Sequence, residues 1–135
     1  MGRYVIVSVV SGILFGALDA LINANPLAQR LYEFYKPIAR TSVNVAAGVL
    51  IDLVYGFVMA GAFLLLYESL PGKEGLLKGL AFATMVWFFR VVMSVATQWM
   101  TFKMPIETLI YTLVAGLGEL VILGIFYGLT LKPSP

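Results

Sequence analysis

The sequence predicts an all-α integral membrane protein, a four-helix bundle of two tandem helical hairpins related by a pseudo-two-fold axis along the membrane normal. Three observations carry this. The 135-residue chain is 61% hydrophobic and only 12% charged, with mean hydropathy +0.95, against roughly 45–50% apolar and about 25% charged in a soluble domain. Its apolar residues gather in four runs, each long enough to cross a bilayer at about 20 residues per span. The chain also matches itself at a single offset of 67 residues, which brings Gly12 onto Gly79.

The first run extends from about Tyr4 to Ala24. Its basic flank is only Arg3 and Asp19 interrupts its apolar stretch, so it reads as a structural span and not as a cleaved signal peptide. The 16 residues from Asn25 to Arg40 form the one long connection. Leu27, Leu31, Phe34 and Tyr35 recur there at helical spacing, so the first helix either continues past Pro26 with a kink or lies along the interface. The second run covers Thr41 to Tyr67, and Pro71-Gly72 marks the turn into the third, Leu76 to Met100. Pro105 opens the fourth run, Ile106 to Leu131, at a position where proline suits a helix start. Pro133 and Pro135 stop it.

The offset that joins Gly12 to Gly79 also brings Phe15 onto Phe82, Lys36 onto Lys103, Thr41 onto Thr108 and Gly61 onto Gly128. Rare polar positions coincide as well: Asp52 meets Glu119, and Asn23 meets Arg90. Residues 1–67 and 68–135 therefore read as two hairpin repeats of one membrane domain. An even number of helices per repeat leaves both halves pointing the same way, hence an axis along the membrane normal.

Composition excludes several function classes. The chain has no Cys and no His, which removes disulfides, thiolate chemistry, zinc sites built on those ligands and His-ligated haem. No metal or cofactor is expected. The net charge of +2 is small and its bases are scattered, which argues against a nucleic-acid partner. Arg3, Lys73, Lys78 and Lys132 fall on one side of the spans; Arg30, Lys36, Arg40 and Lys103 fall on the other. Four against four gives no orientation by the positive-inside rule and also suits dual-topology insertion; control by a few well-placed charges is the reading favoured here. The expected location is a prokaryotic cytoplasmic membrane, crossed several times.

Chemistry concentrates in the spans. Arg90 lies near the middle of the third, where a charge costs several kcal/mol or more unless paired or hydrated. Asp19, Asp52 and Glu119 lie inside the other three. Helical spacing lines up Thr41, Asn44, Gly48, Asp52 and Tyr55 on the second helix, and Thr108, Thr112, Ala115 and Glu119 on the fourth. Arg90, Ser94, Thr97 and Thr101 share a face of the third; Asp19, Asn23 and Arg30 mark the first. Four stripes imply a polar bundle interior. The candidate ligand- or ion-binding residues are Asp52, Glu119, Arg90, Asp19, Asn23, Asn44 and Tyr55.

Two accounts of this cluster compete. In a structural account, Arg90 forms a buried ion pair with Asp52 or Glu119 and the polar groups lock the helices together. In a functional account, three acids against one base leave uncompensated carboxylates, the arrangement that proton coupling or cation binding uses, or Arg90 anchors an anion. The acid excess favours the second: a homo-oligomeric carrier or channel handling an ion, proton or small molecule, with the lipid bilayer and further copies of itself as partners. A non-catalytic subunit of a larger membrane complex is one alternative. An intramembrane enzyme on a lipid-like substrate is another, against which stands the lack of any nucleophile, metal or cofactor motif.

Smaller features complete the reading. Gly12 and Gly16, and Gly124 and Gly128, form GxxxG steps that permit close helix approach or oligomer contacts. Tyr32, Tyr35, Tyr67 and Trp99 sit near span ends as an aromatic belt does, and Trp87 is expected to face lipid.

Overall fold

The computed structural model describes residues 2–33, 37 and 44–131. Among them the chain is helical without a strand, and four helices are long and apolar enough to cross a membrane. The protein is a multi-pass membrane protein. Phe34, Tyr35, Lys36, Arg40, Thr41, Lys132, Pro133 and Pro135 lie outside the described residues.

Helix α1 spans Gly2–Ala24 and ends at a bend. Asn25 then caps the short α2 (Pro26–Leu31), its side-chain oxygen accepting from Ala28 N at 2.8 Å, with Pro26 at the first helical position. The chain thus breaks and restarts at Pro26, the kinked alternative for this stretch. Helix α3 spans Val45–Leu66 and continues as a 3₁₀ turn over Tyr67–Ser69. The next span is compound: α4 (Gly75–Trp87), a π-helical turn (Phe88–Val92) and α5 (Met93–Thr101). Helix α6 runs over Ile106–Thr130.

Between α3 and α4 the chain turns where Pro71-Gly72 predicts. Gly72 takes φ 116°, a conformation that a side chain would strain. Lys78 fastens this turn: its ammonium donates to Tyr67 O at 2.6 Å and Leu70 O at 2.9 Å, and lies 4.8 Å from the Tyr67 ring centre. Both carbonyls lie at the end of the helix, Tyr67 O accepting in addition a 3.3 Å bond from Leu70 N, so a cation is well placed there.

Packing pairs α1 with α3 and α4 with α6, while α1 against α6 joins the two hairpins. Glycines make the pairing close. A Cβ on Gly12 would stand 2.8 Å from Asp52 O and 3.0 Å from Leu53 Cα, and one on Gly56 would press on Ser8 O and Gly12. In the second hairpin Gly79 meets the Gly124 carbonyl, and Gly75 meets that of Gly128. Both GxxxG steps are therefore spent inside the chain; the obstruction includes backbone at Gly12, Gly124 and Gly128, while at Gly16 it is the Asp52 side chain.

One end of the bundle is sealed by aromatic rings. Phe63 of α3 lies 5.4 Å from Phe82 of α4 and 5.9 Å from Tyr127 of α6, all three at most 1% exposed. The other end is loose. Residues 45–47 and 49–51 of α3 are exposed, as is most of α5.

The expected polar interior is not found along the whole bundle. The core is apolar, and only Ser8, Ser11, Thr108 and Glu119 are buried polar residues among those described. The reason is local: Thr84, Thr97, Thr112 and Thr130 each donate to the carbonyl four residues back in their own helix. A threonine satisfied this way needs no polar surroundings, so a threonine stripe does not identify an inward face.

Gly79→Ala should lower unfolding stability by roughly 1–3 kcal/mol, because neither backbone can give way. Gly118→Ala, which would meet nothing within 4 Å, should change it by less than about 0.5 kcal/mol. Denaturant titration in mixed micelles separates the two; equal losses would refute the glycine-contact account.

Candidate functional site

Arg90 occupies the centre of the π-helical turn Phe88–Val92. Such turns widen the helix by one residue and re-aim a side chain. Here the guanidinium carbon lies 5.0 Å from the Phe15 ring centre and 4.9 Å from that of Tyr55. Those rings, from α1 and α3, are themselves stacked at 4.6 Å. The charge is thus held against aromatic faces, a contact worth about 2 kcal/mol where it is desolvated.

The ion pair of the structural account does not form. Among the described residues Arg90 has neither a carboxylate partner nor a hydrogen bond. A guanidinium uses its face for stacking and its edge for hydrogen bonds, so the donors remain unspent.

Glu119 sits near the middle of α6, 5% exposed, and its Oε1 has no hydrogen-bond partner. The Asp19 carboxylate and the Arg90 guanidinium line the same cavity as Glu119.

Asp19, Asn23, Tyr32, Arg90, Ser94, Thr112 and Glu119 line a cavity of about 310 Å³. It lies at the loose end of the bundle, and Asn23 and Tyr32 also belong to a second cavity of about 610 Å³ beyond it, beside Arg30 and Glu33. The wall is braced by hydrogen bonds between α1–α2 and α6. Tyr111 donates to Ile22 O and accepts from Asn25 Nδ2, Thr108 donates to Leu31 O at 2.7 Å, and the Tyr32 and Thr112 hydroxyls lie 2.9 Å apart.

The fold therefore brings Asp19, Asn23, Arg90 and Glu119 together, with Tyr55 beneath Arg90. Asp52 stands apart: its carboxylate fills the space left by Gly16, where a Cβ would stand 2.7 Å from Oδ2. Asn44 is not at the cavity. It caps α3, accepting from Ala47 N at 3.0 Å. Trp87 does not simply face lipid either; it is half-buried and its indole N–H donates to Leu113 O at 2.9 Å. Among the described residues no three acidic side chains converge to hold a metal ion.

With this geometry set, comparison with known proteins places the chain. It belongs to the DUF6789 family. The model of that family, described as a family of unknown function, matches residues 4–133. No curated protein and no solved structure matches the chain. The match includes three whole spans, the first span from residue 4 onward and every residue of the cavity, so the cleft lies within the family's common region.

Phe15, Tyr32, Ser94 and Thr112 belong to the site without having been singled out as binding residues. Ser94 and Thr112 stood on the right stripes, and Tyr32 was legible only as a belt residue. Phe15 is an ordinary apolar residue in sequence; no signal there marks it as a support for Arg90.

A double-mutant cycle tests the stacked arrangement. Tyr55→Leu and Arg90→Leu should couple by about 1 kcal/mol in unfolding stability. Additive effects would show that the rings do not hold the charge.

Proposed function

We propose that the chain is a small membrane carrier, acting as a homo-oligomer, in which Glu119 and Asp19 form the coupling site for a proton. One observation carries the reading: a carboxylate 95% buried, with an unpartnered oxygen, lining a cavity beside a second carboxylate. A purely structural buried acid would be expected to have its acceptors satisfied. The aromatic seal of Phe63, Phe82 and Tyr127 at the other end favours a carrier that exposes its site to one side at a time over an open channel.

Two further features agree with this reading. The hairpins close alike, with offset-related Gly12 and Gly79 each at a backbone contact and offset-related Phe15 and Phe82 each buried. The irregularity also recurs: α1 breaks at Asn25 and the third span widens at Phe88–Val92, positions joined by the same offset. We read these as two tandem hairpins about an axis along the membrane normal. Asp52 is only partly covered by the four helices, and a mid-span carboxylate needs cover other than lipid. A second copy on the exposed half of α3 supplies it.

Reconstituted in liposomes with an imposed pH gradient, the protein should move protons or a counter-solute. Glu119→Gln should cut that flux at least tenfold while the protein stays folded, and Asp19→Asn should do the same. Flux indifferent to both would refute the carrier reading.

A further inference from the structure

We infer that the cavity between Arg90 and Glu119 binds a small zwitterion, its ammonium group taken by Glu119 and Asp19 and its carboxylate or phosphate by Arg90. The inference rests on the reading of this cavity as the ligand site of a carrier. Its basis is a pair of opposite charges that do not meet.

In a medium of low dielectric, a guanidinium and a carboxylate facing one cavity attract strongly. They collapse into an ion pair unless something holds them apart. Here Phe15 and Tyr55 hold Arg90 at 5.0 and 4.9 Å from their ring centres, and the π-helical turn fixes the backbone behind it. Glu119 is equally fixed, buried to 5% exposure on α6. The result is a cavity lined by unspent N–H donors at one place and by the Glu119 and Asp19 carboxylates at another.

A ligand carrying both charges satisfies both groups at once. A simple cation would leave Arg90 unmatched and repelled, and a simple anion would do the same to Glu119. A zwitterion of zero net charge also enters without adding net charge to a site inside the membrane. The volume of about 310 Å³ lies at the small end of ligand pockets and admits a molecule of amino-acid size. Ser94 supplies a hydroxyl able to donate or accept toward the remaining polar atoms.

The same chemistry comes from a free solute or from a zwitterionic lipid headgroup, and two probes tell them apart. In phosphatidylglycerol nanodiscs, whose headgroup carries no ammonium, the full chain is titrated calorimetrically with L-alanine, phosphoethanolamine, ethylammonium and acetate. At least one of the first two should bind tenfold or more tighter than either single-charged compound. L-Alanine binding assigns a free solute; phosphoethanolamine binding without L-alanine binding assigns a headgroup. Arg90→Gln should reduce the zwitterion to the ethylammonium level, and Glu119→Gln to the acetate level. Arg90→Lys, which keeps the charge, should retain part of the binding and so separates lost recognition from lost folding.

Binding of none of the four, or ethylammonium binding as tightly as the zwitterions, overturns the inference. So does zwitterion binding that survives both Arg90→Gln and Glu119→Gln. None of these results touches proton flux, so the carrier reading stands or falls separately on the liposome measurement with Glu119→Gln.

Discussion

A charge inside a bilayer must be paired, hydrated or shielded, and that constraint organises the centre of this protein. Arg90 is not paired. It is shielded on one side by Phe15 and Tyr55 and opens on the other to a cavity shared with Asp19 and Glu119. The guanidinium is divided between rings and cavity, stacked on the one and facing the other. The arrangement draws on four different helical elements, so it exists only once both hairpins have docked.

That docking is asymmetric along the membrane normal. Backbone contacts at Gly12, Gly56, Gly79 and Gly124 bring the helices of each hairpin close, and the rings of Phe63, Phe82 and Tyr127 join the hairpins at one end. Toward the other end the packing thins out, and the charged residues lie where it does. The widened turn at Phe88–Val92 places Arg90 at that level. A sealed end, a charged middle and a loose end are what a site reached from one side requires.

Much of this was legible in the sequence, because the bilayer imposes strong and simple rules. The four spans follow from hydropathy, and the start at Ile106 and turn at Gly72 follow from proline and glycine chemistry. Arg90, Asp19 and Glu119 stand out because ionisable groups are rare in spans. Polar but uncharged residues misled. Asn44 reads as part of a stripe with Asp52, yet it lies just outside α3 and caps it, because a cap and a stripe share the same spacing over one turn. Thr97 reads as inward-facing, yet bonds Met93 O in its own helix. Trp87 reads as a lipid-facing aromatic, and only the position of Leu113 on a distant helix gives its N–H a partner. Phe15 was illegible for the same reason, since its role depends on where α4 turns and not on its neighbours in sequence.

The central claim is that the Asp19–Arg90–Glu119 cleft is wet and open from one face of the membrane. The chain has no Cys, so single cysteines read this directly. A thiol reacts as its thiolate, which requires water. Ser94→Cys and Thr112→Cys, on the cavity wall, should label with a membrane-impermeant maleimide added to one side. Val114→Cys, 67% exposed on the outer face of α6, should resist it from both sides. Cavity cysteines as unreactive as the one at position 114 would mean a dry cleft, and would contradict the account.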